Sequence, residues 1–252
     1  LVQSCDVYFY TVGQRMGIEV MASYAHQFGL GEEKGIELPS ERIGIVPSEA
    51  WKRKAKNEPW LPGETISASI GQGYVNVTPL QMASLIGTVA NNGVAYRPRL
   101  VQAVMDRATG ELKQRLAVSS RTLKLKPGTL PLIKEALAGV VKEGTATRAQ
   151  STLVTIAGKT GTAQTMALRT GPEKDIPKKF RDHAWFVAFA PVDAPTIAVA
   201  VLGEHMGHGG AAAAPLAKEL IETYVKLNIA APSSVNDGAV TKARDGGEQG
   251  AR

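Results

Sequence analysis

Ala157-Gly158-Lys159-Thr160-Gly161-Thr162-Ala163 is the stretch that decides the fold of this 252-residue chain. It follows Leu153 to Ala157, a short apolar segment that predicts a strand. The triplet Gly-Lys-Thr suggests a phosphate-binding loop, but that loop needs a glycine five residues before its Gly-Lys pair, and Leu153 stands there. The sequence therefore disfavours nucleotide binding.

A different chemistry places Lys-Thr-Gly on the edge strand of a sheet, beside a nucleophilic serine. There the ammonium attracts a substrate carboxylate, and the small residues let the strand backbone approach the ligand. A Ser-x-Asn or Ser-x-Asp loop faces that strand across a cleft, and Ser4-Cys5-Asp6 has this pattern. Taken alone, Lys-Thr-Gly is also typical of a surface turn, and Ser-Cys-Asp of a helix cap.

The composition is that of a folded domain, with 44% hydrophobic and 21% charged residues. No apolar run approaches the roughly 18 to 20 residues of a membrane-spanning helix. The net charge of +6 comes without the interleaved aromatic residues of a nucleic-acid-binding stripe, so we expect no nucleic acid partner. The single cysteine, Cys5, excludes an internal disulfide and leaves the compartment open.

Three helices are indicated by caps and apolar periodicity. Thr78-Pro79-Leu80-Gln81 predicts a capped helix that runs to Ala90. A second helix is predicted from about Pro131 to Lys142, with Thr129 as its cap. A third is predicted from about Ala214 to Leu227.

Strand signals cluster in the second half of the chain, at His183 to Ala190 and at Thr196 to Leu202, with a hairpin connection between them. Together with the helices they predict an α+β fold in which an antiparallel sheet is sandwiched between helices. Arg169 to Asp182 is polar and aperiodic, and we expect a mobile surface loop there. The stretch from Gly35 to Pro62 indicates irregular surface covering.

The two ends of the sequence differ in character. The first residues carry neither an initiator Met nor a signal-type pattern, so we expect a chain cut within a domain. From about Asn228 the composition shifts to small and polar residues. The predicted organisation is one domain portion over residues 1–227 and a flexible tail over 228–252.

Five motifs occur in a fixed order along the chain. They are Ser4-Cys5-Asp6-Val7-Tyr8-Phe9-Tyr10, then Ser69-Ile70-Gly71-Gln72-Gly73 with Thr78-Pro79-Leu80-Gln81, then Gly144-Thr145-Ala146, then Gly158 to Ala163, then His183 to Pro191. In this order they resemble the transpeptidase domain of class B penicillin-binding proteins, and Asp6 with Tyr8-Phe9-Tyr10 looks most like the penicillin-binding protein 2 group. The resemblance implies a fold like that of serine β-lactamases and D,D-peptidases, here incomplete at the N-terminus.

The resemblance implies acyl transfer on peptidoglycan stem peptides, with no cofactor required for catalysis. In the family, a serine in a Ser-x-x-Lys motif attacks the penultimate D-alanine carbonyl, and an amine of a second stem peptide resolves the acyl-enzyme into a cross-link. β-Lactam antibiotics acylate the same serine. The family also implies a glycosyltransferase partner in the elongation machinery and a periplasmic domain whose inner-membrane anchor lies in the missing N-terminal part.

By the same resemblance, Ser4 and Lys159 are catalytic residues. Ser4 passes protons between the lysine partner of the nucleophile and the leaving amine, and Lys159 sets the electrostatics of the cleft. Thr160, Gly161 and Thr162 form the substrate-binding strand. Its two threonines bind the terminal carboxylate, and the Thr162 N–H supplies one of two oxyanion donors.

The sequence departs from the family pattern in two ways. Asp6, the third expected catalytic residue, stands where Asn is commoner, so it contacts the substrate amide or serves as an anion near Lys159. No serine is followed by lysine three positions on, so the nucleophile motif is absent from the sequence. We therefore expect this chain alone neither to bind penicillin covalently nor to form cross-links.

Two other functions remain open. One is a D,D-carboxypeptidase or β-lactamase-like hydrolase of the same fold, which the Ser-Cys-Asp, Gly-Gln-Gly and His-Ala-Trp-Phe strings argue against. The other is a non-catalytic penicillin-sensing or scaffold domain.

Cys5 has two interpretations. It is a small packed residue, or, as the resemblance to the penicillin-binding protein 2 group implies, a structural zinc ligand whose partners would precede Leu1. His205 and His208 lie in a glycine-rich stretch, and we interpret them as part of a loop that leads into the last helix.

Overall fold

The computed structural model describes residues 1–165 and 176–230. The helices of these residues are α1 (Asp6–Met16), α2 (Ile18–Gln27), α3 (Glu49–Lys56), α4 (Pro62–Ser69), α5 (Pro79–Ala90), α6 (Thr129–Lys142) and α7 (Gly209–Ala230). The strands are β1 (Val94–Tyr96), β2 (Ala103–Met105), β3 (Leu112–Arg115), β4 (Ser120–Thr122), β5 (Ala157–Ala163), β6 (His183–Ala190) and β7 (Ile197–Gly203). In the described ranges, no helix combines the length and the apolar character that crossing a membrane requires.

A three-stranded antiparallel sheet in the order β5-β6-β7 forms the centre of the fold. Lys159 of β5 pairs with Val187 of β6, and Ala190 pairs with Ile197 across the predicted hairpin, which is confirmed. The remaining strands form two separate ribbons, β1 with β4 and β2 with β3. Among the described strands, β5 pairs with β6 only, so no strand covers its other edge.

The central strand β6 is buried on both faces, which explains why its sequence is an uninterrupted apolar run. Phe186 and Ala188 pack on one face with Ala213, Ala217 and other residues of α7. On the other face, Val187 and Phe189 join a cluster with residues of α5 and α6. The predicted α+β fold, with an antiparallel sheet between helices, is confirmed.

The predicted helices are present, with shifted ends. The capping box at the start of α5 is confirmed, because the Thr78 hydroxyl accepts from the Gln81 N–H at 3.1 Å and the Gln81 side chain accepts from the Thr78 N–H at 3.0 Å. The prediction of Thr129 as a cap is wrong: Gly128, in the left-handed region at φ 82°, precedes α6, and Thr129 is its first residue. Helix α7 begins at Gly209, before the predicted start.

Two predictions failed because polar residues obscured the pattern. The predicted strand from Leu153 to Ala157 is wrong, since β5 begins at Ala157 and contains the Lys-Thr-Gly motif itself. Within Gly35 to Pro62, predicted to be irregular, α3 begins after Ser48, whose hydroxyl accepts from the Trp51 N–H at 3.0 Å. The one buried residue of α3 is Lys52, so no apolar stripe announces this helix.

Two predicted flexible segments lie partly outside the described residues. Of the loop predicted at Arg169 to Asp182, residues 176–182 are described, and Lys178–Phe180 forms one turn of 3-10 helix. Helix α7 extends to Ala230, so the first three residues of the predicted tail are helical. Residues 231–252 lie outside the described part of the chain.

Candidate active site

Ser4 and Lys159, which are 155 positions apart in the sequence, are in direct contact. The Lys159 ammonium donates a hydrogen bond to the Ser4 hydroxyl oxygen. Both side chains line a cavity of about 890 Å³, together with Asp6, Thr160 and Thr162. Gly161 lies on the same wall, so the structure brings every predicted catalytic and substrate-binding residue to one groove.

Ser4 is held in an unusual backbone conformation, with φ at 48° in the left-handed region. For a residue with a side chain this costs of the order of 1–3 kcal/mol, and such strain is concentrated at functional sites. Directly after it, Cys5 is the N-cap of α1 but makes no hydrogen bond to the helix through its side chain. The Ser-Cys-Asp string therefore spans the start of α1, with Cys5 as the N-cap and Asp6 as the first helical residue, while the serine hydroxyl faces the cavity.

The Lys159 ammonium is half-buried and makes a further hydrogen bond to the Thr160 carbonyl at 2.9 Å. Burial lowers the pKa of Lys159, and the Asp6 carboxylate opposes this by favouring the charged form. A lysine with a lowered pKa gives up its proton more readily. Lys159 and Ser4 thus form a hydrogen-bonded path along which a proton can pass.

The outer edge of β5 presents backbone groups to the cavity. In an antiparallel strand the N–H and C=O of one residue point to the same edge, and the direction alternates from residue to residue. The Thr160 carbonyl accepts from Lys159, and the Thr162 carbonyl accepts from the Gln72 side chain at 2.8 Å. The N–H groups of Thr160 and Thr162 therefore point away from β6, toward the groove.

A second cavity of about 510 Å³ adjoins the groove at Ser4, Thr160 and Thr162. Its wall includes Arg148, whose guanidinium donates to the Ala211 carbonyl at 3.2 Å. That carbonyl lies one helical turn before Pro215, which has no N–H to offer it, so Arg148 takes the place of the missing donor. No Asp or Glu belongs to the described lining, and the subsite suits a carboxylate.

Gln72 and Asp182 line the groove although sequence reasoning gave neither of them a role. Gln72 lies between Gly71 and Gly73, both at positive φ, in the turn that ends α4. The signal was present in the sequence as a Gly-Gln-Gly string, but nothing in its spacing connects it to β5. Asp182 carries no motif, and no sequence signal would have found it.

Cys5 is exposed, so its interpretation as a small packed residue is wrong. Residues 1–165 and 176–230 contain no cluster of three or more His, Cys, Asp or Glu side chains able to hold a metal ion, so the described residues give a zinc site at Cys5 no support. The His205 and His183 rings lie 4.6 Å apart at an angle of 55°, and the His205 backbone N–H donates to the His183 Nδ1 at 2.9 Å. These contacts support the loop interpretation of the histidine-containing stretch.

Comparisons with known proteins agree with this geometry. The chain matches the family described as "Penicillin binding protein transpeptidase domain" over residues 1–222. It is 38% identical to a protein of Acinetobacter baumannii named "Peptidoglycan D,D-transpeptidase MrdA", over 98% of this chain and 38% of that protein. The chain therefore spans well under half the length of this relative.

Solved structures give the same result. A complex between penicillin-binding protein PBP2 and MreC from Helicobacter pylori matches with a TM-score of 0.76 and 31% identity, over 90% of this chain and 39% of that one. A structure described as "Structural coordination of polymerization and crosslinking by a peptidoglycan synthase complex" matches with a TM-score of 0.76 and 30% identity, over 93% of this chain and 37% of that one.

Proposed function

Since this chain belongs to the family of penicillin-binding protein transpeptidase domains, we propose that it forms part of a peptidoglycan D,D-transpeptidase of the penicillin-binding protein 2 type. The observation that carries the proposal is the contact of Lys159 with Ser4 in a groove whose other component is the free edge of β5. The outward N–H groups of Thr160 and Thr162 on that edge can donate to an extended stem peptide, and the adjoining subsite at Arg148 can receive its carboxylate.

The reaction has two acyl-transfer steps. In the first, a serine oxygen attacks the penultimate D-alanine carbonyl carbon, a C–O ester bond forms, the C–N bond to the terminal D-alanine breaks, and the serine proton goes to the leaving nitrogen. In the second, an amine of another stem peptide attacks the ester carbon. An amide C–N bond forms, the C–O bond breaks, and the amine proton returns to the serine oxygen.

Ser4, Lys159 and the β5 edge serve these steps without any metal or cofactor. Ser4 relays the proton to the leaving nitrogen, and Lys159 donates to Ser4 so that the hydroxyl is aligned for transfer. The Thr162 N–H donates to the carbonyl oxygen as it becomes an oxyanion, and the Thr160 hydroxyl binds the terminal carboxylate. The Asp6 carboxylate favours the charged form of Lys159.

The alternatives have less support. Neither a carboxypeptidase, a β-lactamase-like hydrolase nor a penicillin-sensing scaffold is favoured by a specific contact in the groove, and the Acinetobacter relative is named a D,D-transpeptidase. A zinc ion at Cys5 has no support from the residues around it.

The relatives support a proposal about partners and location. The PBP2 of Helicobacter pylori forms a complex with MreC, and another similar chain belongs to a peptidoglycan synthase complex in which polymerization and crosslinking are coordinated. We propose the same setting for this chain, in which a glycosyltransferase supplies the glycan strands. The domain would then act outside the cytoplasmic membrane, in the periplasm, within a protein anchored in the inner membrane.

Labelling with a fluorescent penicillin tests the proposal. The protein as its gene encodes it should form a covalent adduct that survives denaturation, and it should cross-link stem peptides when a glycosyltransferase and lipid-linked precursor are supplied. Residues 1–252 alone, which lack Ser-x-x-Lys, should not be labelled. Absence of any adduct on the whole gene product would overturn the proposed function, whereas labelling without cross-linking would favour a hydrolase or a sensor.

A further inference from the structure

We propose that Gln72 is a positioning residue that holds the outer edge of β5, so that the Thr162 N–H faces the reacting carbonyl. This inference rests on the proposed function. Gln72 does not contact the Ser4–Lys159 pair in the structure, and it acts through the backbone of β5.

The side-chain amide of Gln72 makes two hydrogen bonds to the end of β5. Its nitrogen donates to the Thr162 carbonyl at 2.8 Å, and its oxygen accepts from the Gln164 N–H at 3.4 Å. A carbonyl and the N–H two residues later lie on the same edge of a strand, so a single carboxamide imitates one rung of a β-ladder. Gln72 therefore takes up the hydrogen-bonding groups at one end of the outer edge of β5.

Gln72 is itself fixed by the helix that carries it. Its N–H donates to the Ser67 carbonyl at 3.0 Å, and the Gly71 N–H donates to the Ala68 carbonyl at 3.0 Å. Gly71 and Gly73 have φ values of 77° and 69°, in the left-handed region where a side chain is disfavoured. This turn ends α4 sharply and directs Gln72 across the groove.

The two hydrogen bonds from the Gln72 amide to Thr162 and Gln164, here called the clamp, determine which backbone groups of β5 a ligand can use. Lys159 occupies the Thr160 carbonyl, and Gln72 occupies the Thr162 carbonyl and the Gln164 N–H. The Thr162 N–H lies between these two contacts and points to the same edge. Because an oxyanion donor is effective only when it is already aligned, a clamp on the carbonyl of the same residue affects the rate of acylation.

The test is the acylation of the protein as its gene encodes it by a fluorescent penicillin, in Gln72→Met and Gln72→Glu variants. Methionine keeps the length of the side chain and loses both hydrogen bonds, and glutamate keeps the acceptor but turns a carboxylate toward the Thr162 carbonyl. We expect the acylation rate constant to fall roughly tenfold or more, short of the ~10²–10³ that follows removal of a donor itself. The dissociation constant of the initial complex should change little.

Gln150→Met is the matched control, because the Gln150 amide also donates to main-chain carbonyls, of Val141 and Lys142, at 3.2 Å and 2.7 Å, outside the groove. Gln150→Met should be acylated at the same rate as the unmodified protein. Hydrogen exchange of the peptide that contains Gln164 reports the clamp directly and should be faster in Gln72→Met.

The outcomes separate the inference from the proposed function. If the unmodified protein is not acylated, the proposed function fails and the inference fails with it. If the unmodified protein is acylated and Gln72→Met keeps its rate, or loses only affinity for the penicillin, the inference alone is wrong. Unchanged melting temperature with a lowered rate constant supports positioning, whereas a rate that falls only in proportion to unfolded protein overturns it.

Discussion

Lys52 and Lys159 are both withdrawn from solvent, but their surroundings differ. Lys52 of α3 is 1% exposed and lies 2.5 Å from the Glu64 carboxylate and 3.5 Å from that of Glu58. Lys159 contacts a hydroxyl and a carbonyl, and no described carboxylate lies within ion-pair distance of its ammonium. The charge of Lys52 is compensated by two carboxylates. The charge of Lys159 is compensated by no described carboxylate within ion-pair distance.

The difference appears in the protonation of the two groups. The hydrogen bond to Glu64 raises the pKa of Lys52 in spite of its burial, while burial lowers the pKa of Lys159. A buried ion pair of complementary charges fixes geometry, whereas an incompletely compensated charge is poised to interact with a ligand. Lys52 therefore serves the scaffold, and Lys159 is the lysine that we propose serves the chemistry.

The scaffold lysine lies at the end of α4 that is remote from the groove. Glu64 also accepts from the Leu61 N–H at 2.7 Å, so the Lys52–Glu64 pair fixes the start of α4. The same helix ends in the turn that carries Gln72. The ion pair and the contacts of Gln72 therefore lie at opposite ends of one helix, and loss of the pair should leave Gln72 in place wherever the protein remains folded.

The largest expected effect comes from Lys159→Met in the protein as its gene encodes it. Loss of the ammonium breaks the path to Ser4, and acylation by a fluorescent penicillin should fall about 10²- to 10⁴-fold. The melting temperature should not fall, because a desolvated charge is removed together with its cost. A variant that unfolds as readily as a Lys52 variant would erase the distinction between the two lysines.

Lys52→Met should give the opposite result. It leaves Glu64 partly buried without its cation, so the midpoint of thermal unfolding should fall by several degrees, while the acylation rate of the protein that remains folded stays close to normal. The double variant Lys52→Met/Glu64→Leu should recover most of the stability, because apolar side chains can replace a buried pair. If the double variant is less stable than the single one, the pair is not the cause.

Acid should weaken the scaffold pair. Burial alone would raise the pKa of Glu64, but the hydrogen bonds from Lys52 and the Leu61 N–H outweigh it and lower the pKa below its ordinary 4.5. The unfolded state therefore binds the proton first, and the stabilisation is present above pH 4.5 and is lost as the pH falls through the folded-state value. Denaturant unfolding of Glu64→Gln should lack this part of the pH dependence, and a slope identical to that of the unmodified protein would contradict the assignment.

The smallest effect concerns Asp6. Its carboxylate raises the pKa of Lys159 against the effect of burial, so Asp6→Asn should lower that pKa further. The alkaline limb of the acylation rate, plotted against pH, should then move to lower pH, with a moderate change in the maximum rate. A limb that stays in place, or moves to higher pH, would show that Asp6 acts on the substrate rather than on Lys159.

The sequence predicted those elements correctly that contain an apolar pattern or a motif. The run from His183 to Ala190 predicts β6 with its bounds because the strand is buried on both faces, and the Thr78–Gln81 box predicts the start of α5. The resemblance to penicillin-binding protein transpeptidase domains is likewise confirmed.

What the sequence could not predict depends on contacts between distant segments. Helix α3 is stabilised by a buried lysine, so its eight residues contain no apolar stripe. Strand β5 contains small and polar residues and lines a cavity on its outer side, so it lacks the apolar run of a strand packed on both faces. The bridge from Gln72 to Thr162 joins residues 90 positions apart, and no local pattern encodes it.

The separation of 155 positions between Ser4 and Lys159 has a consequence for how the domain is assayed. Closing so long a loop is entropically costly, and a molecule that contacts both residues would add a noncovalent link between these two distant segments. Ligands of the groove should therefore protect the whole domain from heat and proteases, by an amount that grows with the ratio of their concentration to Kd. Thermal-shift screening can thus find ligands of this groove without following any chemical step.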